Sequence, residues 1–126
     1  MNCRVLIVDD SPILRAAIRK VVRLAGIDNA NIDDAGDGRE ALIRLEAAPA
    51  DLVLLDINMP VMNGEEFVEA LRARPDMADT RVVIVSTESN RARLDHLRRL
   101  GVTDRLQKPF EPEDLAAIVQ QNLRAA

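Results

Sequence analysis
The chain is 126 residues long, 48% apolar and 30% charged, with a formal net charge of −4. That is chain enough for one domain with a single core, too apolar for a disordered segment, and too acidic to expect direct nucleic-acid binding. No apolar run approaches the roughly 20 residues that span a bilayer, and neither a secretory leader pattern nor a second cysteine is present. The expectation is one domain over residues 1–126 in a reducing cytoplasm, with no membrane partner. Cys3 is expected to be a small buried thiol at a strand start.

Val5-Leu6-Ile7-Val8 is an all-apolar run closed by Asp9 and Asp10. Such runs mark strands buried on both faces of a parallel sheet. Ser11-Pro12 reads as an N-cap with proline at the first helical position. Leu14, Ala17, Ile18, Val21, Val22 and Ala25 follow at helical spacing up to Gly26. Residues 30–35 form a weaker, polar strand suited to a sheet edge. Asp37 with Glu40 has the form of a capping box, opening a short helix whose inward positions are Ala41, Leu42 and Leu45. Asp51-Leu52-Val53-Leu54-Leu55-Asp56 is a second buried run, and Pro60 beyond it cannot continue a ladder. Asn63-Gly64 makes a turn, and Phe67, Val68 and Leu71 mark a third helix ending near Pro75. Val82-Val83-Ile84-Val85 is a third buried run, closed by Ser86 and Thr87. Ser89-Asn90 caps a helix carrying Leu94, Leu97 and Leu100, stopped at Gly101. Residues 102–107 make a fifth strand, closed by Lys108-Pro109-Phe110. A last helix, from about Glu111 to Leu123, buries Leu115, Ile118, Val119 and Leu123.

Strands alternating with helices predict an α/β fold: a five-stranded parallel sheet with five helices on its two faces, joined by right-handed crossovers. In a doubly wound sheet the carboxyl ends of the strands meet at one edge, where strand order reverses. That edge would hold Asp9 and Asp10, Asp56, Ser86 and Thr87, and Lys108. Clustered carboxylates repel unless a cation joins them, and hard oxygen donors in this number suit Mg²⁺. No glycine-rich phosphate loop is present, so the site is not built to cradle a nucleotide. Carboxylate, divalent metal, hydroxyl and lysine are instead the parts for placing a phosphoryl group on an aspartate.

Val8-Asp9-Asp10-Ser11, Leu54 to Pro60 with Asn63-Gly64, Val83 to Ser86, and Lys108-Pro109-Phe110 together resemble the receiver domain of two-component response regulators. The likeness runs over essentially the whole chain and is closest to the stand-alone, chemotaxis-type (CheY-like) form, or to an excised receiver. It implies the flavodoxin-like strand order 2-1-3-4-5. It implies that Asp56 is the phosphoacceptor, served by the phosphohistidine of a sensor histidine kinase or phosphotransfer protein. Mg²⁺ would be held by Asp10, Asp56 and the backbone carbonyl of Asn58, with Asp9 acting through a coordinated water. Ser86 and Lys108 would engage the phosphoryl oxygens, and Lys108-Pro109 would be cis. Asn58 and Glu88, with Thr87 between Ser86 and Glu88, would tune the lifetime of the acyl phosphate. Asn58 and Glu88 are a pairing associated with rapid self-hydrolysis. The protein would then be a switch with only self-phosphorylation and autodephosphorylation activity, not a turnover enzyme.

One position departs from the family pattern. Three residues before the lysine, where Tyr or Phe usually moves with the Ser86 hydroxyl, stands Arg105. Either its arm swings instead, toward Glu88, or the loop after Ser86 and the helix beyond it carry the change alone. Residues 91–108 also hold six basic side chains (Arg91, Arg93, Arg98, Arg99, Arg105 and Lys108) against Asp95 and Asp104. A solvated face is the default for such a run; an acidic partner docking on the fourth helix and fifth strand is the functional alternative. His96 reads as a surface residue. An aspartyl phosphohydrolase would need a second carboxylate where Asn58 stands. A degenerate, phosphorylation-independent module would not need Asp9, Asp10, Asp56, Ser86 and Lys108 together. A flavin carrier would need a phosphate loop and stacking aromatics that the chain lacks.

Overall fold
The apolar runs form the strands that their composition implies, with helices between them. The computed structural model describes residues 3–102 and 104–124. Its strands are β1 (Val5–Val8), β2 (Ile32–Ala35), β3 (Leu52–Leu55), β4 (Arg81–Ser86) and β5 (Asp104–Gln107). Its helices are α1 (Pro12–Leu24), α2 (Gly38–Ala47), α3 (Gly64–Arg72), α4 (Arg91–Arg99) and α5 (Pro112–Arg124). All strand pairs are parallel and the order is β2-β1-β3-β4-β5. This is the doubly wound, flavodoxin-like arrangement. Thr103, read from the sequence as part of the fifth strand, lies outside the described residues.

Period-two alternation divides the strand side chains between two cores. Leu6, Val8, Val53, Leu55, Val82 and Ile84 pack with Ala41, Leu45, Phe67, Val68, Leu71 and Leu97 of α2, α3 and α4. Val5, Ile7, Leu52, Leu54, Val83 and Val85 pack with Ile18 and Val22 of α1 and with Leu115, Val119 and Leu123 of α5. Cys3 is half-buried against this second core, less enclosed than expected. Ala17 is exposed, because the inward stripe of α1 runs through Leu14, Ile18, Val21 and Val22. The polar β2 lies at an edge, and its expected first residues, Ala30 and Asn31, belong to a 3₁₀ turn.

The helix caps are partly those expected. Ser11 Oγ accepts from the Leu14 amide at 3.2 Å, and Asn90 Oδ1 accepts from the Arg93 amide at 3.1 Å. Asp37 caps α2 through the Glu40 amide, but Glu40 returns its carboxylate to the Gly36 amide at 3.1 Å, so the box is not reciprocal. The reciprocal capping box is at α3, between Asn63 and Glu66. Gly26 and Gly101 end α1 and α4 at φ +111° and +86°, as their positions implied.

Candidate functional site
Ladder hydrogen bonds carry the strand-end residues to one edge. The Asp56 amide donates to the Val8 carbonyl at 2.9 Å, the Asp9 amide to the Ala35 carbonyl at 3.1 Å, and the Lys108 amide to the Ser86 carbonyl at 3.1 Å. Parallel registers align Val8 with Leu55 and Leu55 with Ile84, so the residues just beyond them emerge side by side. One carboxylate oxygen each from Asp9, Asp10 and Asp56 lies within 4.8 Å of the others, with Asp9 and Asp56 buried and Asp10 exposed. Lys108 Nζ stands 2.7 Å from Asp9 Oδ2 and 3.5 Å from Asp56 Oδ2. The Lys108-Pro109 bond is cis, as expected.

The other expected residues ring this cluster. Ser86 is fully buried, and its Oγ accepts from the Glu88 amide at 3.1 Å. The Asn58 amide donates to Asp56 Oδ1 at 3.4 Å, while Asn58 Nδ2 donates to Glu88 Oε2 at 3.3 Å. Thr87 is exposed beside Ser86. Arg105 is exposed and donates from Nη2 to the main-chain carbonyl of Glu88 at 2.5 Å. The amide of Asn90, followed by Asn58, Arg93 and Arg105, holds the Glu88 carboxyl below the usual glutamate range, partly offset by burial. Being depressed, it stays ionised through neutral pH, and its ionic contacts are lost only as pH falls below that range.

Two arginines that the sequence reading did not assign to the site hold it in place, and a third braces the helices behind it. Arg15 Nη1 donates to the Asp9 carbonyl at 2.6 Å, and its Nε to Asp34 at 3.3 Å. Arg93 pairs with Glu65, with Glu88 at 2.8 Å and with Asn58 at 3.0 Å. Arg72, further off, donates to the carbonyls of Leu100, Ala78 and Thr80 and joins α3 to the end of α4. The basic segment is therefore less free than its charge count implied. Arg93 and Lys108 face inward to carboxylates, and Arg98 pairs with Asp95 at 3.3 Å. Arg91, Arg98 and Arg105 line a groove with Ser89, Leu94 and Asp95, while Arg99 lies on the other side, near Arg72 and Asp79. His96 faces Glu69 at 2.8 Å near the surface.

The β3–α3 loop closes down on the site. Gly64 donates to the Ile57 carbonyl at 2.8 Å, and a Cβ there would lie 2.7 Å from Ile57 Cα and 2.9 Å from the Asp56 carbonyl oxygen. Val61 holds φ +67° in a γ-turn closed by the Met62 amide on the Pro60 carbonyl at 2.7 Å.

A doubly wound parallel sheet with an acidic cluster at its switch point defines the class. Residues 5–120 match the family model of the response regulator receiver domain. The chain belongs to that family and is a receiver domain of a two-component system. It is 39% identical over 126 residues to the DNA-binding response regulator MtrA of Mycolicibacterium smegmatis, covering 98% of this chain and 52% of that protein. The chain thus spans about half the length of the curated relatives it matches. Among solved structures it resembles the chemotaxis protein CheY4 of Vibrio cholerae, with TM-score 0.85 and 36% identity over 94% of this chain and 97% of that one. It also resembles the Mn²⁺-bound response regulator Rcp1, with TM-score 0.79 and 26% identity over 94% and 90% of the two chains.

Proposed function
We propose that Asp56 accepts a phosphoryl group from the phosphohistidine of a sensor histidine kinase or a phosphotransfer protein. A carboxylate oxygen of Asp56 bonds to phosphorus as the bond from phosphorus to the donor imidazole breaks, and the imidazole leaves with the electron pair. The observation that carries this reading is the convergence of three carboxylates within 4.8 Å, with Lys108 Nζ 3.5 Å from Asp56. Lys108 is placed to exchange a carboxylate for a phosphoryl oxygen. The Ser86 hydroxyl, buried at the next strand end, supplies a donor to another.

Three carboxylates form an oxygen donor set that fits a hard divalent cation, and Rcp1 holds Mn²⁺ in its own structure. Asp9, Asp10 and Asp56, with the Asn58 carbonyl, would hold Mg²⁺. When bound, it supplies charge neutralisation for the phosphoryl oxygens. Asn58, Thr87 and Glu88 border the bond and tune its lifetime.

Residues 1–126 act in this reading as one receiver unit whose α4–β5–α5 surface changes partner affinity on phosphorylation, Ser86 and Arg105 carrying the change. Its downstream target is a protein with an acidic docking surface, met by Arg91, Arg98 and Arg105. The setting is cytoplasmic, and no helix among the described residues is long and apolar enough to cross a membrane.

The test is incubation with Mg²⁺ and a small acyl-phosphate donor, read by intact mass. Wild type gains one phosphoryl group and Asp56→Asn gains none; equal labelling of the two overturns the assignment.

A further inference from the structure
Arg93 occupies the first turn of α4, where three segments meet at the rim of the site. Its Nε donates to a carboxylate oxygen of Glu65, in the first turn of α3. Its Nη1 donates to Asn58 Oδ1 at 3.0 Å and to Glu88 Oε2 at 2.8 Å. Asn58 Nδ2 donates to the same Glu88 oxygen at 3.3 Å, closing a triangle of three side chains. Each far corner of that triangle is one hydrogen bond from the chemistry. The Asn58 amide reaches Asp56 Oδ1 at 3.4 Å, and the Glu88 amide reaches Ser86 Oγ at 3.1 Å. Glu88 is further pinned through its other carboxylate oxygen by the Asn90 amide at 3.0 Å and through its carbonyl by Arg105.

The geometry points to Arg93 as a positioning residue that sets how long a phosphoryl group survives on Asp56, by occupying the acceptors that would otherwise guide an attacking water. This rests on Asp56 being the phosphoacceptor. In hydrolysis a water oxygen bonds to phosphorus, the bond from phosphorus to the Asp56 oxygen breaks, and the carboxylate leaves with the electron pair. The water's proton passes to solvent and inorganic phosphate departs. Such a water is oriented by a lone pair beside the bond. Asn58 Oδ1 and Glu88 Oε2 are side-chain acceptors two residues beyond Asp56 and Ser86, and both are turned to the Arg93 guanidinium. One guanidinium nitrogen, Nη1, makes both of these contacts while Nε of the same rigid plane holds Glu65; an ammonium has no equivalent geometry.

The test labels Asp56 with Mg²⁺ and a small acyl-phosphate donor, removes the donor, and follows decay of the phosphoprotein by intact mass. Arg93→Ala decays about three- to tenfold faster than wild type, the scale of coupling between contacting side chains. Arg93→Lys falls between the two. In an Asn58→Ala/Glu88→Ala background the Arg93→Ala acceleration disappears, which general loosening of the fold would not produce. Should Arg93→Ala fold poorly, Arg93→Met keeps the length of the arm without a donor for either acceptor and accelerates decay in the same direction. Unchanged decay in Arg93→Ala, or equal acceleration in both backgrounds, overturns the role of Arg93 alone. Absence of label on wild-type Asp56 overturns the phosphoacceptor reading beneath it.

Discussion
Asp56 and Asp9 are buried at 8% and 2% exposure beside Asp10, with a single lysine between two of the carboxylates. Packing like charges together costs stability, and the cost is retained because the chemistry needs it. Asp56→Asn keeps the shape and removes one charge. With metal chelated, its thermal midpoint should therefore exceed that of wild type by a few degrees, corresponding to about 1 kcal/mol. Saturating Mg²⁺ should raise wild type more than the variant, because a ligand stabilises only the state that binds it. Equal midpoints in chelator would show that Lys108 already neutralises the cluster. These acids were legible because each follows an apolar run. Arg93 was not, because its partners Glu65 and Asn58 lie 28 and 35 positions away and no local pattern joins them.

At the scale of elements, the β3–α3 connection shows why a short loop matters as much as the strand before it. Gly64 begins α3 against the backbone of Ile57 and Asp56, so a methyl group there meets main chain that cannot move aside. Gly64→Ala should cost roughly 1–3 kcal/mol in urea unfolding, the range for overpacking a close contact. It should also slow phosphoryl labelling of Asp56 by displacing the carbonyl next to it. Unaltered stability and labelling together would mean that the loop is looser than its hydrogen bond from Gly64 to Ile57 implies. The sequence marked Asn63-Gly64 as a turn. That Asn63 and Glu66 form a true box, while Asp37 and Glu40 do not, depends on where the preceding chain enters each helix. Local composition does not specify that angle.

Across the whole molecule the sheet is unequal from centre to edge. Strands β1 and β3 are buried along their full length, whereas β5 alternates half-buried and exposed residues at the sheet margin. Amide exchange should accordingly be slowest in β1 and β3 and distinctly faster in β5, since local opening follows shallow burial. Uniform protection across all five strands would argue against a weakly held margin. The α4–β5 face also carries the exposed Arg105, bonded only to a loop carbonyl among the described contacts. A side chain tethered in that way can change partner without disturbing either core.

The amino-acid sequence by itself determined the element order, the parallel sheet and the acids, hydroxyl and lysine at its edge. Those features follow from short-range periodicity and from the handedness of crossovers. Only the tertiary structure decided which charges are spent internally. Arg93 and Lys108, counted with the basic surface, turn inward to Glu65, Glu88, Asp9 and Asp56. Pairing of this kind depends on the distance between side chains of separate elements, and that distance exists only once both cores have packed.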